Sequence, residues 1–154
     1  MILNKAQLYK VGYPIMKLYW FFRRPTTEGV RCIVTHQNRI LLIRHTYGSN
    51  LLTTVGGGVK KDESLKQAVI REVKEEVGLS LQNIKQMNSL LHTKEFKKDT
   101  IHVFIAEAVD DKINIDHNEI QEAKWYEKEK LPNDISPLFK KFYYLAFPRP
   151  QEKF

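Results

Sequence analysis

The sequence contains little of what stabilises secreted or membrane proteins. Its one cysteine, Cys32, cannot form a disulfide within the chain, which agrees with a reducing compartment. No apolar run reaches the roughly 20 residues that a membrane-spanning helix requires. The opening stretch MILNKAQLYK carries no apolar signal-peptide core. We therefore expect a cytoplasmic protein without a transmembrane segment.

Several familiar catalytic signatures are also missing. The five histidines have no metal-ligand spacing such as HxxxH, so a zinc site is not predicted. No GxSxG motif or paired nucleophile and base supports covalent catalysis. Cys32 lies in an apolar alternating stretch, which indicates a packed small side chain and not a nucleophile.

Acidic residues are absent from the start of the chain. Residues 1–27 hold five basic residues and no acid, and residues 140–154 hold four basic residues and one acid. The formal net charge is +7, yet residues 28–139 are close to neutral. The basic excess at the two ends serves solubility or contacts an anionic partner such as RNA or a membrane surface.

What the chain does contain is typical of one globular domain. Its 154 residues are 42% hydrophobic and 28% charged, which is enough to bury a sizeable core. We expect a basic, aromatic-rich N-terminal extension at residues 1–26 and the main domain at residues 27–154. The extension has three possible uses that the sequence leaves open: covering the domain, forming a homodimer, or touching a membrane.

Strand-like and helix-like stretches mix along the chain. GVRCIVTH and RILLIRHTY predict two strands joined by a tight turn at Gln37-Asn38. SLLHTKEF and TIHVFIAEAV predict two more, with residues 97–99 between them, and AKWYEKEKLP predicts a last strand ending at Pro132. SPLFKKFYYLAF has helical apolar spacing. Without strict βαβ alternation, this order favours an α/β sheet covered by helices and not a Rossmann domain.

The stretch GGGVKKDESLKQAVIREVKEEVGL predicts a glycine loop followed by a helix. It runs from Gly56 to Leu79, and either Asp62 or Ser64 is suited to cap the start of the helix. Gly78 is suited to end it. At about 100° per residue, the apolar side chains form one buried stripe, composed of Leu65, Ala68, Val69, Val73 and Val77.

Carboxylates share this buried stripe. Glu72 and Glu76 fall inside the apolar arc and Glu75 lies at its edge. Like charges four residues apart repel by roughly 0.2–0.5 kcal/mol, and burying them costs more. A hard divalent cation such as Mg²⁺, which accepts carboxylate, water and phosphate oxygens, would compensate. Pairing with Arg71 or Arg44 is the structural alternative, and the spacing alone leaves both open.

The stretch as a whole resembles the Nudix box, and three glycines before the helix suit close backbone approach to a ligand. The resemblance extends to the preceding hairpin and to EIQEAKWYEKEKLP, covering about residues 27–145. It implies a Nudix-type α/β/α sandwich with a mixed β-sheet. It also implies a hydrolase that cleaves the pyrophosphate bond of a nucleoside diphosphate linked to another group, using Mg²⁺ or Mn²⁺. The matching positions are Gly57, Glu63, Arg71, Glu72, Val73, Glu75, Glu76, Gly78 and Leu79.

The resemblance also assigns a metal site. By motif position, Glu72 and Glu76 would bind the metal directly, and Glu75 would join them directly or through water. The carbonyl of Gly56 would complete the site. These oxygen ligands would neutralise substrate phosphates and orient a water that attacks phosphorus in line.

Further roles follow from the same resemblance. Arg71 and Glu63 would hold the glutamates in place. The base in the family is a box glutamate, here Glu75 or Glu76, or a glutamate from a later loop. Glu119 in DHNEIQEAKW is the candidate for that later base and Glu122 is next, although both also read as exposed loop acids.

Substrate contacts are predicted less sharply. Arg44 and His45 end a strand that leads toward the glycine loop and would reach substrate phosphate or base, although a strand-end arginine is as often a salt-bridge partner. Tyr47, Phe96 and Trp125 are candidates for stacking on a nucleobase, although aromatic residues in strands usually belong to the core.

Two departures from the family pattern leave the substrate open. Thr53-Thr54-Val55 replaces the usual Leu-Pro before the glycines, and no downstream signature of ADP-ribose or dinucleoside-polyphosphate enzymes is present. We predict a cytoplasmic Mg²⁺-dependent Nudix hydrolase of a small nucleotide: a nucleotide sugar, an ADP-ribose-like compound or a (d)NTP. The alternatives are an RNA 5′-end pyrophosphohydrolase, favoured weakly by the basic ends, and a non-catalytic nucleotide sensor, disfavoured because every box glutamate is present.

Overall fold

The computed structural model describes residues 26–94 and 97–148, together with Gly12, Tyr13 and Met16. Most of the predicted extension, residues 1–26, and the candidate stacking residue Phe96 lie outside the described residues. From Thr26 onward the described chain forms five strands and two helices. They are β1 (Thr26–His36), β2 (Arg39–His45), α1 (Leu65–Val77), β3 (Leu81–Lys94), β4 (Lys97–Ala108), β5 (Ile120–Glu127) and α2 (Pro137–Ala146).

The five strands form one mixed sheet. Their order is β3-β4-β1-β2-β5. β1 runs parallel to β4, whereas the β1–β2, β2–β5 and β3–β4 pairs are antiparallel. The predicted tight turn joins β1 to β2, with Gln37 at a φ of 53°. The prediction of a mixed sheet in an α/β fold is therefore confirmed.

Each face of the sheet is covered by one helix. Successive residues of a strand point to opposite faces, so the branched residues of β1 and β2 supply two separate cores. One core packs against α1 and the other against α2. This is the α/β/α sandwich that the sequence analysis predicted. The α1 core includes Val30, Cys32, Leu41, Val69 and Val73, and the α2 core includes Ile33, Ile40, Leu42, Phe139 and Phe142.

The helix α1 begins and ends as its sequence predicts. Ser64, and not Asp62, is the N-cap, because its side chain accepts from Gln67 N while the Gln67 side chain accepts from Ser64 N. At the other end Gly78 adopts φ 74° and its N–H donates to the Lys74 carbonyl. The predicted start and end of α1 are therefore confirmed.

Several strand boundaries differ from the predictions. Residues 97–99, predicted to lie between two strands, belong to β4, and β3 extends back to Leu81. β3 is an edge strand, and its polar residues pair through the backbone of β4, so branched-residue content does not reveal its length. The last strand ends at Glu127 and not at Pro132, because Lys130 N donates to the Glu127 carbonyl and closes a turn.

The glycine loop is inserted into the sheet itself. β1 and β2 pair only near their shared turn, and beyond it the loop separates them. Val30 N donates to the Gly57 carbonyl and Cys32 N to the Val55 carbonyl, each over 2.9 Å. On the other side Ile43 N donates to the Thr53 carbonyl over 2.9 Å. The inserted loop backbone therefore lies in the sheet beside β1, on the side of the sheet that α1 covers.

Both described helices are short. α1 has 13 residues and α2 has 10, whereas a membrane-spanning helix requires about 20. Within residues 26–94 and 97–148, no helix combines the length and apolar character needed to cross a bilayer.

Candidate active site

The glycine loop approaches its neighbours too closely for side chains. Gly56 has a φ of 146°, and a Cβ there would overlap the backbone of Val30 and Arg31. A Cβ on Gly57 would overlap the carboxylate of Glu72. The two glycines therefore let the loop backbone lie directly against β1 and against the glutamates of α1.

Glu76 is the buried carboxylate of the site. Its residue is 3% exposed, its Oε2 accepts from Gly56 N over 3.1 Å, and its Oε1 lies 4.0 Å from His45 Nδ1. Burial raises the pKa of Glu76 to about 8, against the lowering effects of the Gly56 amide and the Arg31 charge. The low exposure of Glu76 confirms that this glutamate lies on the buried face of α1, as predicted. The Gly56 amide and the Arg31 charge offset only part of the cost of burying its carboxylate.

Arg71 binds the remaining box glutamates together. Its Nε and Nη2 donate to the two oxygens of Glu63 over 2.7 and 2.9 Å, and its Nη1 donates to Glu72 Oε1 over 2.6 Å. Nη2 also donates to the Gly58 carbonyl. Hydrogen bonding from Arg71 lowers the pKa of Glu63 to about 2. The structural alternative for compensation, pairing with Arg71, is therefore present for Glu72.

Glu75 lies near solvent, whereas Glu76 is buried. Its side chain is 55% exposed, accepts from Arg71 Nη1 over 3.2 Å and lies 3.7 Å from Lys60 Nζ. The helix thus separates its three glutamates into one buried side chain, one beside the glycine loop and one near solvent. The role of Glu75 as a direct metal ligand stays a prediction.

Arg31 also lies beside the box glutamates and the glycine loop, although its place there was not predicted from the sequence. It lies on β1 opposite the glycine loop, and its Nη1 donates to the Gly56 carbonyl and, over 3.4 Å, to the Val30 carbonyl. The available signal was a single charged residue within the apolar strand GVRCIVTH. A charge within a paired strand needs a polar partner nearby, and this was the signal that the sequence offered.

His45, Tyr47 and Glu119 lie together beside Glu76. The rings of His45 and Tyr47 stack with centroids 5.4 Å apart, and Tyr47 Oη donates to Glu119 Oε2 over 3.4 Å. Burial lowers the pKa of His45 to about 4 and raises the pKa of Tyr47 to about 12. Thr46 N donates to the Glu119 carbonyl, which anchors the later loop to the end of β2.

Arg44 and Glu122 lie in a different network from the one around Glu76. Arg44 pairs with Glu122 over 3.1 Å and with Asp134 over 2.7 Å, and it also donates to the Asn50 carbonyl. Glu122 pairs with Lys124 as well. This is the salt-bridge use that the sequence left open for Arg44, so its predicted contact with substrate has no support from this geometry.

Trp125 also makes its contacts with residues other than the box glutamates. Its Nε1 donates to the Asp111 carbonyl over 3.0 Å, the Arg39 guanidinium lies 5.7 Å from its ring, and the His36 ring is 5.9 Å away. Of the predicted stacking candidates that the structure describes, Tyr47 is the one beside the box glutamates.

Two cavities flank the Arg31 side chain. The larger, about 560 Å³, is lined by Arg31, by the stacked pair His45 and Tyr47, and by the first turns of α2, including Leu138 and Lys141. The smaller, about 330 Å³, is lined by Arg31, by Gly57 and Gly58, and by the acidic residues Glu28 and Asp99. Arg31 therefore stands between two spaces that open beside the glycine loop.

The donor set has the chemistry of a hard-cation site. Glu72, Glu76 and the Gly56 carbonyl supply oxygen atoms only, which suits Mg²⁺ or Mn²⁺ and not a thiophilic metal. Among the described residues, no three His, Cys, Asp or Glu side chains form a closed cluster that would hold a metal. The guanidinium groups of Arg71 and Arg31 instead neutralise Glu72 and cover the Gly56 carbonyl. The partly compensated Glu76 carboxylate fits a cation that binds with few protein ligands.

The fold is that of a known family. The family model for the NUDIX domain matches residues 25–146. The chain therefore belongs to the Nudix family, as the box predicted.

Two individual relatives share about a third of their aligned residues with this chain. The chain is 31% identical over 106 residues to the NAD-capped RNA hydrolase NudC of Vibrio atlanticus (strain LGP32), a match that covers 68% of this chain and 38% of that protein. It is 37% identical over 105 residues to the protein of the same name from Salmonella typhi, covering 66% and 40%. The chain thus spans about two fifths of the length of these relatives.

A solved structure shares the fold. The MutT NUDIX hydrolase from Burkholderia pseudomallei superimposes with a TM-score of 0.72 at 20% sequence identity, over 79% of this chain and 98% of that one. At this identity the likeness shows the architecture, and the activity has to be argued from the site.

Proposed function

We propose that this Nudix chain hydrolyses the pyrophosphate bond of a nucleoside diphosphate linked to a second moiety, with Mg²⁺ or Mn²⁺ as cofactor. The observation that carries the proposal is the buried Glu76 carboxylate, which lies 3.1 Å from the Gly56 amide and 4.0 Å from His45, a residue that lines an open cavity. Burying a carboxylate is costly, and a structural role alone would have favoured an apolar side chain at this position of α1.

Glu72, Glu76 and the Gly56 carbonyl are the residues that we propose hold the cation. Glu75, near solvent, joins them through water. When bound, a divalent cation neutralises phosphate oxygens and orients the attacking water. Arg71 and Glu63 position this set, because one guanidinium bridges Glu63 to Glu72 and also contacts the Gly58 carbonyl.

Glu119 is the residue that we propose accepts the proton of the attacking water. It lies beside Glu76, where its charge adds to burial in raising the Glu76 pKa, and Tyr47 Oη holds its carboxylate. Glu122, the second candidate, is paired with Arg44 and Lys124, which fixes it in a structural network. A general base requires a carboxylate within reach of the water it activates.

The two cavities support a substrate with a group on each side of its phosphates. The larger one offers the stacked rings of His45 and Tyr47, an aromatic surface that suits a nucleobase. The smaller one offers Glu28 and Asp99, which suit hydroxyl groups or a positive charge and disfavour additional phosphates. Nucleotide sugars, ADP-ribose-like compounds and dinucleotides such as NAD have this two-sided form, whereas a (d)NTP has one side only.

RNA that carries a dinucleotide at its 5′ end is the second candidate substrate for the same hydrolysis. The relatives are named NAD-capped RNA hydrolases, and we propose that a dinucleotide is recognised either free or at the 5′ end of RNA. The basic excess at residues 1–27 and 140–154 would contact the RNA body. Such contacts release counterions, so they make binding steeply dependent on salt. We place the activity in the cytoplasm, where the lone Cys32 stays reduced.

A panel of substrates tests the proposal. The products of NAD, ADP-ribose, a nucleotide sugar, dinucleoside polyphosphates, normal and oxidised (d)NTPs, and RNA carrying an NAD or triphosphate 5′ end are separated by chromatography, with and without Mg²⁺. Mg²⁺-dependent cleavage of two-sided substrates supports the proposal. Preference for triphosphates contradicts the two-sided substrate, and binding of nucleotide without turnover of any substrate favours the sensor alternative.

A further inference from the structure

The Arg31 guanidinium is positively charged, but its hydrogen-bond partners are neutral carbonyl groups. The guanidinium donates to the carbonyls of Gly56 and Val30. The ion pairs of the described residues give carboxylate partners to Arg39, Arg44 and Arg71, and none to Arg31. The planar guanidinium is best satisfied by an anionic group with two oxygens that accept two hydrogen bonds at once, such as a carboxylate or a phosphate.

The atom that Arg31 covers is one of the proposed metal ligands. The Gly56 carbonyl is held in place by its own backbone, since Gly56 N is bound to Glu76 and the loop is paired with β1 on both sides of Gly56. One carbonyl oxygen does not serve a guanidinium and a divalent cation at the same time, because the two cations repel at that separation. Arg31 therefore has to leave Gly56 when this oxygen is used as a ligand.

The space that Arg31 enters on leaving is the substrate site. Its side chain already lines both the larger and the smaller cavity, and a substrate with a group in each places its phosphates between them. A phosphate at this position offers the bidentate anionic partner that the carbonyl lacks. A short movement of one side chain is then sufficient to exchange one partner for the other.

We propose that Arg31 and the metal compete for the Gly56 carbonyl, and that Arg31 transfers to a substrate phosphate when this carbonyl binds the metal. This inference rests on the metal site of the proposed function. It makes Arg31 a substrate-binding residue that also weakens metal binding in the absence of nucleotide. Metal and nucleotide binding are consequently coupled, and each raises the affinity for the other by the same factor.

Mn²⁺ binding without nucleotide tests the first half of the inference. Free Mn²⁺ is followed by electron paramagnetic resonance for the wild type, Arg31→Met and Arg31→Lys. Arg39→Met is the matched control, because it removes the same charge from a residue that pairs with Asp111 at the surface. We expect Arg31→Met to bind Mn²⁺ about five-fold tighter or more, with Arg31→Lys and Arg39→Met close to wild type.

ADP binding at saturating Mn²⁺, measured by calorimetry, tests the second half. Arg31→Met is expected to bind ADP more weakly than wild type, while Arg39→Met is unchanged. A loss of packing alone would weaken both ligands, so tighter Mn²⁺ together with weaker ADP separates the proposed exchange from a structural role. Thermal melting of each variant confirms folding, and Arg31→Gln replaces Arg31→Met if the latter is unfolded.

Two different failures are distinguishable. If Glu76→Gln abolishes Mn²⁺ binding but Arg31→Met leaves it unchanged or weaker, the metal site stands and the role of Arg31 is overturned. If the wild type binds no Mn²⁺, with or without ADP, the metal site of the proposed function is overturned together with the inference. Tighter Mn²⁺ with unchanged ADP affinity overturns the transfer to phosphate.

Discussion

The Gly56 amide donates to Glu76 Oε2 over 3.1 Å and so joins the inserted glycine loop to the buried face of α1. The same glycine presents its carbonyl to Arg31 on β1. One residue thus connects strand, loop and helix at the point where the predicted metal ligands meet. Changes to the two side chains of this connection, Arg31 and Glu76, are expected to affect cation binding more than folding.

Glu76→Gln is expected to lower turnover by more than the roughly 10–100-fold that loss of an outer-shell partner costs, because a direct ligand is removed. Titration of Mg²⁺ is expected to raise the melting temperature of the wild type, since a ligand that binds only the folded state stabilises it, and to leave that of the variant unchanged. Glu127→Gln, a surface carboxylate paired with Lys130, is the matched control. Retained activity with normal Mg²⁺ dependence would remove Glu76 from the site.

Gly56→Ala is expected to destabilise the fold by about 1–3 kcal/mol or more, because the residue has a φ of 146° and a Cβ would overlap the Val30 backbone. Gly58→Ala is the control within the same loop, since a Cβ there meets nothing within 4 Å. Urea unfolding of both variants measures the difference. Equal stability of the two would contradict the close packing of the loop against β1.

Glu63→Gln is expected to destabilise the protein in a pH-dependent manner. The pKa of Glu63 is lowered from 4.5 to about 2 in the folded protein, mainly by hydrogen bonding from Arg71. Its contribution to stability is therefore present in full above pH 4.5 and is lost as the pH falls through 2. Melting curves between pH 7 and pH 2.5 should show the gap between variant and wild type narrowing below pH 4.5, and a constant gap would argue against the Arg71 pair.

Glu119→Gln is expected to reduce turnover by about 10²–10⁴-fold while Mn²⁺ affinity stays near wild type, because a general base is removed and no metal ligand is lost. Glu122→Gln is the comparison, since this residue pairs with Arg44 and Lys124 and is expected to change stability more than turnover. Steady-state kinetics measures the turnover of both variants, and urea unfolding measures their stability. Normal kinetics for Glu119→Gln would move the search for the base to the box glutamates.

Cys32 is expected to be inert in the folded protein. The residue is 1% exposed and burial raises the pKa of its thiol, so little reactive thiolate forms at neutral pH. An excess of a chromogenic disulfide reagent should label it only after urea is added. Rapid labelling without denaturant would mean that the α1 core opens readily.

The glycine loop and helix of the box were predictable because their determinants are local. A cap, a helical apolar stripe and a terminal glycine act within a few residues of one another, and Ser64, Gly78 and the burial of Glu76 follow from them. The edge strand β3 was predicted too short, because its polar stretch gains its structure from the neighbouring β4. Its pairing is a property of the sheet and not of the segment.

The sequence by itself determined the family, the α/β/α class and the set of box glutamates, since spacing along one helix dictates which side chains share a face. Only the tertiary structure decided which partner each charge has. It pairs Arg44 with Glu122 and Asp134, turns Glu75 toward solvent and places Arg31 on the Gly56 carbonyl. Those pairings join residues distant in the chain, and the insertion of the loop between β1 and β2, which periodicity does not reveal, brings Arg31 to the site.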